Sequence, residues 1–256
     1  MGGVNPLMSL ARLGAGFVFV ALTIAGVFAW LVVLLPFGRR ARILHVKPLW
    51  NWLGRGVLGL AGSRVTVHGA EHAVGPAIFA NNHSSNLDAF LTIWLTPRGT
   101  VGLAKKEIVR YPFYGQAWLL AGHPTVDRGN SEKARASMRA LGDWVRDHGF
   151  SVCMLPEGTR SRTGRLLPFK KGIVHLAVQT GLPIVPMVTV GAFGAWDKGS
   201  FRIQPRDIHV HFLPPVDTRG WSLDRIDEHL AELRARFLEV LPESMIDPAD
   251  RPHAAA

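Results

Sequence analysis

Cysteine is almost absent from this chain, and acidic residues are few. The single cysteine among 256 residues, Cys153, leaves no partner for an internal disulfide and no C-x-x-C. A disulfide-stapled scaffold and a zinc ribbon are therefore excluded, and no oxidising compartment is implied. Within "SVCML", Cys153 reads as a small core residue. G-x-S-x-G and G-x-x-x-x-G-K-[ST] are also missing, which removes the commonest serine-hydrolase and nucleotide-phosphate signatures. Asp and Glu total 19 against 29 Lys and Arg, a formal net charge of +10. Such a balance favours an anionic partner, whether nucleic acid, anionic lipid or a phosphorylated substrate; a basic surface without a dedicated ligand is the plain alternative.

Charge of either sign is missing over residues 13–38, "LGAGFVFVALTIAGVFAWLVVLLPFG". About 20 apolar residues in a helix cross a hydrocarbon core roughly 30 Å thick, so this run is long enough to span or to bury deeply. It outlasts the ~7–15-residue core of a signal peptide and lacks an A-x-A cleavage site. Arg39, Arg40, Arg42 and Lys47 follow it, against a lone Arg12 before it. The positive-inside rule then puts the large C-terminal part in the cytoplasm, on the inner membrane. A second apolar stretch, "PLWNWLGRGVLGLAG" at 48–62, is too short to span alone, and its two tryptophans suit the headgroup layer. Residues 13–62 are expected to form a membrane-embedded helical hairpin, with a single span and an interfacial helix as the other arrangement. The "GRGVLG" inside it is a literal G-x-G-x-x-G, but a Trp-rich segment precedes it and a strand follows, which is the wrong context for a dinucleotide. "NHS" at 82–84 matches a glycosylation sequon that a cytoplasmic location makes irrelevant.

Beyond residue 62, β-rich runs alternate with helical patterns. Strands are expected at 64–68, 76–80 less its proline, 100–104, 151–155, 183–190 and 208–213. A helix is expected over 131–148, opened by Asn130 or Ser131 and stopped by Gly149, and another over 222–241 capped by Ser222. The fold class that follows is α/β, a mixed and partly parallel sheet flanked by helices, with chemistry at the strands' C-terminal ends. Three parts are expected: an anchoring segment 1–62, an α/β domain 63–243 and a loose tail 244–256.

One polar run interrupts this pattern. "NNHSSNLD" at 81–88 leaves the apolar "PAIFA" and enters the apolar "LDAFLTIWL". On one helix His83 and Asp88 would point roughly 140° apart and could not pair; with a turn between a strand and a helix they converge. A carboxylate on one ring nitrogen fixes the tautomer and leaves the other nitrogen as a base near neutral pH. On the spacing alone, a turn capped by Ser85 or Asn86, with Asp88 complementing the helix dipole, explains the stretch equally well. "LPEGTRS" follows the strand "SVCM", placing Glu157, Gly158, Thr159 and Arg160 on an equivalent edge, where glycine admits backbone amides to a phosphate and arginine grips it. Lys105, Lys106, Arg128, Lys170 and Lys171 lie at or near other strand exits, each with a solvated basic face as its bland explanation. The 11 histidines are scattered, and "HVH" at 209–211 puts two rings on one side of a strand without a nearby third ligand, so no metal site is expected.

Four blocks in order, "NHSSNLD", "GHPTVDR" at 122–128, "LPEGTRS" and "IVPMV" at 184–188, resemble the successive motifs of the glycerolipid acyltransferases of the bacterial 1-acylglycerol-3-phosphate acyltransferase type. The resemblance runs from about residue 64 to 215, with His123, Pro124 and Thr125 standing where that family more often has bulky apolar residues. It implies transfer of a fatty acyl group from acyl-CoA or acyl carrier protein to the hydroxyl of lysophosphatidic acid, giving phosphatidic acid, without a cofactor or an acyl-enzyme. It further implies that His83 deprotonates the hydroxyl and Asp88 orients it. Lys105, Arg128, Glu157, Gly158, Thr159 and Arg160 would hold the acceptor's phosphate. Membrane lipids are then partners and nucleic acid is not. Two other functions remain open: acylation of a different lysolipid, such as a lyso-ornithine lipid, and non-catalytic binding of anionic lipid at the membrane.

Overall fold

The computed structural model describes residues 6–111, 113–127, 129, 131–197 and 199–250. The uncharged run belongs to one helix, α1 (Pro6–Val33), after which the chain reverses into α2 (Gly38–Leu60). The two are antiparallel: the Trp30 indole donates to the His45 carbonyl, Phe19 lies against Gly56, and Arg12 against Gly62. Among the described residues, only α1 is long and apolar enough to cross a membrane, and most of its surface is exposed.

The α/β part follows as β1 (Arg64–His68), β2 (Ile78–Asn81), α3 (Asp88–Leu95), β3 (Thr100–Gly102), β4 (Ala104–Lys105), α4 (Tyr114–Leu120) and β5 (Thr125–Val126). It continues with α5 (Ser131–His148), β6 (Ser151–Met154), α6 (Gly172–Thr180), β7 (Ile184–Val190), β8 (Asp207–Phe212) and α7 (Ile226–Leu238). Six strands form one sheet in the order β1-β8-β7-β2-β6-β3, parallel except where β7 meets β8; β4 and β5 pair separately. In β2 every residue is buried because both faces are covered. Phe79 faces the core shared with α1, α2 and α3, while Ile78 and Ala80 face the core under α5, α6 and α7.

Several expectations change. The four cations after α1 lie inside α2, and three of them are occupied by carbonyls at helix C-terminal ends, which attract positive charge. Arg39 bonds Gly122 O, Arg42 bonds Leu120 O, and Lys47 bonds Ile93 O and Trp94 O. They are structural ties rather than free loop charge. The tail from 244 is not loose as far as it is described: Met245 and Ile246 are buried, Leu166 N–H donates to Met245 O, and Arg234 pairs with Asp250. The C-terminal helix is shorter than 222–241. Ser222 makes no side-chain cap, its backbone N–H donating instead to His229 Nε2. Asn130, one of the two expected openers of α5, lies outside the described residues.

The "GRGVLG" glycines are packing devices. A Cβ on Gly54 would stand 2.6 Å from both Phe90 O and the Trp94 Cβ of α3, and one on Gly56 would enter the Phe19 ring. Gly59 has nothing within 4 Å. Gly54→Ala is expected to lower unfolding stability by about 1–3 kcal/mol through overpacking, while Gly59→Ala does not lower it; denaturant unfolding of the two variants in the same detergent checks the contrast.

Candidate active site

The strand directions decide where the polar blocks meet. β2, β3, β6 and β7 run parallel, so the loops that follow them leave the sheet at one edge, the usual place for chemistry in such sheets. His83 comes just after β2, "LPEGTRS" just after β6 and Lys105 just after β3. The end of β2 is tied to β7 by side chains: Asn82 bonds both the N–H and the carbonyl of Thr189, and Asn81 bonds the Thr189 and Thr92 hydroxyls.

Asp88 is the first residue of α3 and is fully buried. Its Oδ2 accepts from His83 Nδ1 at 3.0 Å and from the backbone N–H groups of Ser84 at 2.6 Å and Ser85 at 2.7 Å; its Oδ1 has no partner. The turn between β2 and α3 is thus folded around one carboxylate oxygen. With Nδ1 donating to Asp88, the lone pair of His83 is on Nε2, and His83 lines a cavity of about 300 Å³. Neither Ser85 nor Asn86 is the N-cap residue of α3, which is Leu87. Ser85 Oγ accepts from Leu87 N–H and donates to Trp196 O.

Gly158, Thr159 and Arg160 line the same cavity as His83, and so does Lys105. Gly158 adopts a left-handed φ of +70°, the conformation for which glycine is suited. Glu157 departs from the expectation that it holds phosphate. Its carboxylate is buried behind the cavity wall, where Oε1 accepts from His83 N–H at 2.5 Å and Oε2 from Leu167 N–H at 2.9 Å. A carboxylate beside a phosphate would repel it, whereas here it ties the β6 loop to the β2 loop, aided by Ser161 N–H donating to His83 O at 2.8 Å. Burial pushes the Glu157 carboxyl up to about 7, opposed by the two backbone bonds. Arg128 lies outside the described residues. Lys171 is engaged with Asp227, and Lys106 with Asp127.

Three further residues line the cavity, two of them with no signal in the sequence as site residues. Lys47 and Trp50 come from α2, and His123 from the second block. Burial lowers Lys47 to about 8 and His123 to about 3. His123 is therefore neutral, with Nδ1 accepting from Gly102 N–H. His123 was visible as a departure from the family pattern; the inward position of an α2 lysine was not visible at all. Cys153 also faces the cavity, and burial raises its thiol to about 12, which withholds the thiolate a nucleophile needs. A second, almost wholly apolar cavity of about 540 Å³ is walled by Leu13, Gly16 and Phe17 of α1 and shares Lys105, Ile108 and Tyr114 with the first.

On the outer strands, parallel pairing sets His68 beside His211, and its Nε2 lies 3.3 Å from His209 Nδ1. "HVH" therefore has a third ring nearby, contrary to the expectation. The His68 and His211 rings stack at 4.4 Å, and among the described residues no group of three or more side chains is placed to hold a metal ion.

Comparison with known proteins agrees with this arrangement. The acyltransferase family model matches residues 64–190. A 1-acyl-sn-glycerol-3-phosphate acyltransferase of Limnanthes douglasii is 43% identical over 89% of this chain and 82% of its own. One of Salmonella typhimurium is 33% identical over 81% of this chain and 84% of its own. The crystal structure of the 1-acyl-sn-glycerophosphate acyltransferase PlsC from Thermotoga maritima superposes with a TM-score of 0.75 at 24% identity, covering 92% of this chain and 95% of that one, and so shares the fold. A buried His–Asp pair, a glycine–arginine loop beside it and this breadth of likeness lead to one conclusion: the chain belongs to the 1-acyl-sn-glycerol-3-phosphate acyltransferase family.

Proposed function

We propose that the protein moves a fatty acyl group from the thioester of acyl-CoA or acyl carrier protein to the free hydroxyl of lysophosphatidic acid, giving phosphatidic acid. The observation that carries this reading is the convergence of His83 and Arg160 on the wall of one cavity, with Asp88 behind the histidine. His83 Nε2 takes the hydroxyl proton as the oxygen attacks the thioester carbon, and Asp88 holds the ring and compensates its charge. A C–O bond forms, the C–S bond breaks, and the departing thiolate recovers the proton from the imidazolium. No acyl-enzyme is needed, in keeping with a protonated Cys153.

The acceptor's phosphate is assigned to Arg160, Lys105 and the Gly158–Thr159 backbone, with Arg128 retained from the family pattern. Glu157 is removed from that set, because its carboxylate is spent on backbone N–H groups. The anchor remains assigned to 1–62, and the α/β domain begins at 63 and extends past 243 to include the packed residues through Asp250.

The anchor is proposed to lie in one leaflet on the cytoplasmic face rather than to cross. The α/β part touches α1 near its start, where Ser9 Oγ and Ile203 exchange two hydrogen bonds. It also holds the chain just past the helix's end, through Arg39 and Arg42. A helix held near its start and just past its end by the same polar domain runs along that domain, leaving its outer face for lipid.

Three measurements test these assignments. His83→Ala is expected to lose about 10²–10⁴ in kcat for thiol release from acyl-CoA or acyl carrier protein with lysophosphatidic acid; an undiminished rate sinks the base assignment. Arg160→Ala should raise KM for lysophosphatidic acid far more than for a lysolipid without a phosphate monoester, as mass spectrometry of products from both acceptors will show. Glu157 supplies a pH test. Its folded pKa of about 7 lies above its ordinary value, so the native state holds the proton more tightly. Its contribution to stability is full below the ordinary carboxyl range and is lost as pH rises through about 7. The advantage of the unaltered chain over Glu157→Gln in melting temperature should therefore shrink from about pH 5 to about pH 8, and a gap constant with pH contradicts the assignment.

A further inference from the structure

Exposed aromatic side chains occur in the two segments that supply Tyr111 and Ile203 to the wall of the larger cavity. Tyr111 is 58% exposed and Phe113 75%, and exposed apolar side chains that occur together, rather than singly, mark interaction surfaces. Phe113 is also the one described non-glycine residue with a positive φ, at +62°. That conformation costs energy for a bulky side chain and persists where the surroundings impose it, often at functional positions. In the connection between β7 and β8, Phe201 is 75% exposed. Tyr111 and Ile203 both line the cavity, Ile203 is bonded to Ser9 near the start of α1, and Phe113 and Phe201 each lie two residues along the chain from one of these two lining residues.

Each of the two segments also carries a cation. Arg110 precedes Tyr111 and Arg202 follows Phe201; both are exposed, and neither has a carboxylate partner among the described residues. Aromatic rings paired with unspent arginines are the composition that sits at the headgroup level of an anionic leaflet. The same cavity is walled by Phe17 of α1, which is exposed like Leu10 and Leu22 of that helix.

We infer that Tyr111, Phe113 and Phe201, with Arg110 and Arg202, form a second membrane contact that seats the rim of the larger cavity in the headgroup layer of an anionic bilayer. A lipid chain then passes between hydrocarbon and cavity without crossing water. The inference rests on the membrane contact proposed for α1, but it involves different residues and a different part of the fold.

The test places an environment-sensitive fluorophore on one engineered cysteine at a time in the full chain, the buried Cys153 being shielded. The positions are Leu22→Cys on α1, Phe113→Cys and Phe201→Cys on the rim, and Leu223→Cys on the far side of the sheet. Vesicles of phosphatidylcholine with phosphatidylglycerol should shift the emission at 22, 113 and 201 to the blue, and lipid-borne nitroxides should quench it, while position 223 stays as in buffer. Arg110→Ser and Arg202→Ser should each weaken binding to these vesicles by about fivefold and leave binding to pure phosphatidylcholine nearly unchanged. If position 22 responds while 113 and 201 behave like 223, the rim contact is overturned and the α1 contact stands. If position 22 is also silent, both fall. A shift at 113 and 201 with acyl carrier protein but not with vesicles assigns the rim to an acidic protein and overturns the lipid assignment.

Discussion

Two backbone N–H groups share one buried carboxylate at the centre of this protein. Glu157 accepts from His83 and from Leu167, so the loop after β6 cannot move without moving the residue proposed as the base. Buried carboxylates are tolerated when their oxygens are satisfied by such donors, and removing either partner leaves an uncompensated group. The adjacent carboxylate repeats the device: Asp88 Oδ2 gathers a ring nitrogen and two successive amides. Both acids act as internal staples for turns that carry chemistry outward.

These staples work because the sheet delivers the turns to one place. Parallel pairing of β2 with β6 and β7 puts three strand exits side by side, and the Asn82–Thr189 bonds fasten two of them. The anchor closes the arrangement from the other side. α2 packs on α3 through Gly54, and Lys47 bonds the final carbonyls of α3 while lining the cavity. The α1–α2 pair is therefore part of the site's wall, so the segment proposed to meet the membrane and the groups proposed to react belong to one surface.

The blocks along the chain were readable because each is local. A strand, a polar turn and a helix follow one another within a dozen residues around His83, and that sequence of patterns predicts convergence of His83 with Asp88. The positions of the large strands along the chain and the extent of α5 are equally visible, since buried strands and amphipathic helices print their period on the sequence. The inward turn of the Glu157 carboxylate is not legible in the sequence, for an instructive reason. A four-residue loop does not say which side chains face the cavity and which face back, and a glutamate beside an arginine reads as part of one clamp. The short β4–β5 pair and α6 were missed because two-residue strands and a nine-residue helix carry too little period to register.

Residue order alone determined the fold class and the uncharged N-terminal helix and put His83 and Asp88 on either side of one turn, because each depends on neighbours within one or two elements; the family was legible only in four short blocks taken in order. Tertiary structure alone decided that Glu157 faces inward, that Lys47, Trp50 and His123 wall the cavity, that His68 joins His209 and His211, and that the α/β part bonds α1 near its start and α2 near its own. All of these are contacts between segments distant along the chain, set by strand register and helix packing. Local pattern specifies which element a residue belongs to; only the assembled layers specify what its side chain meets.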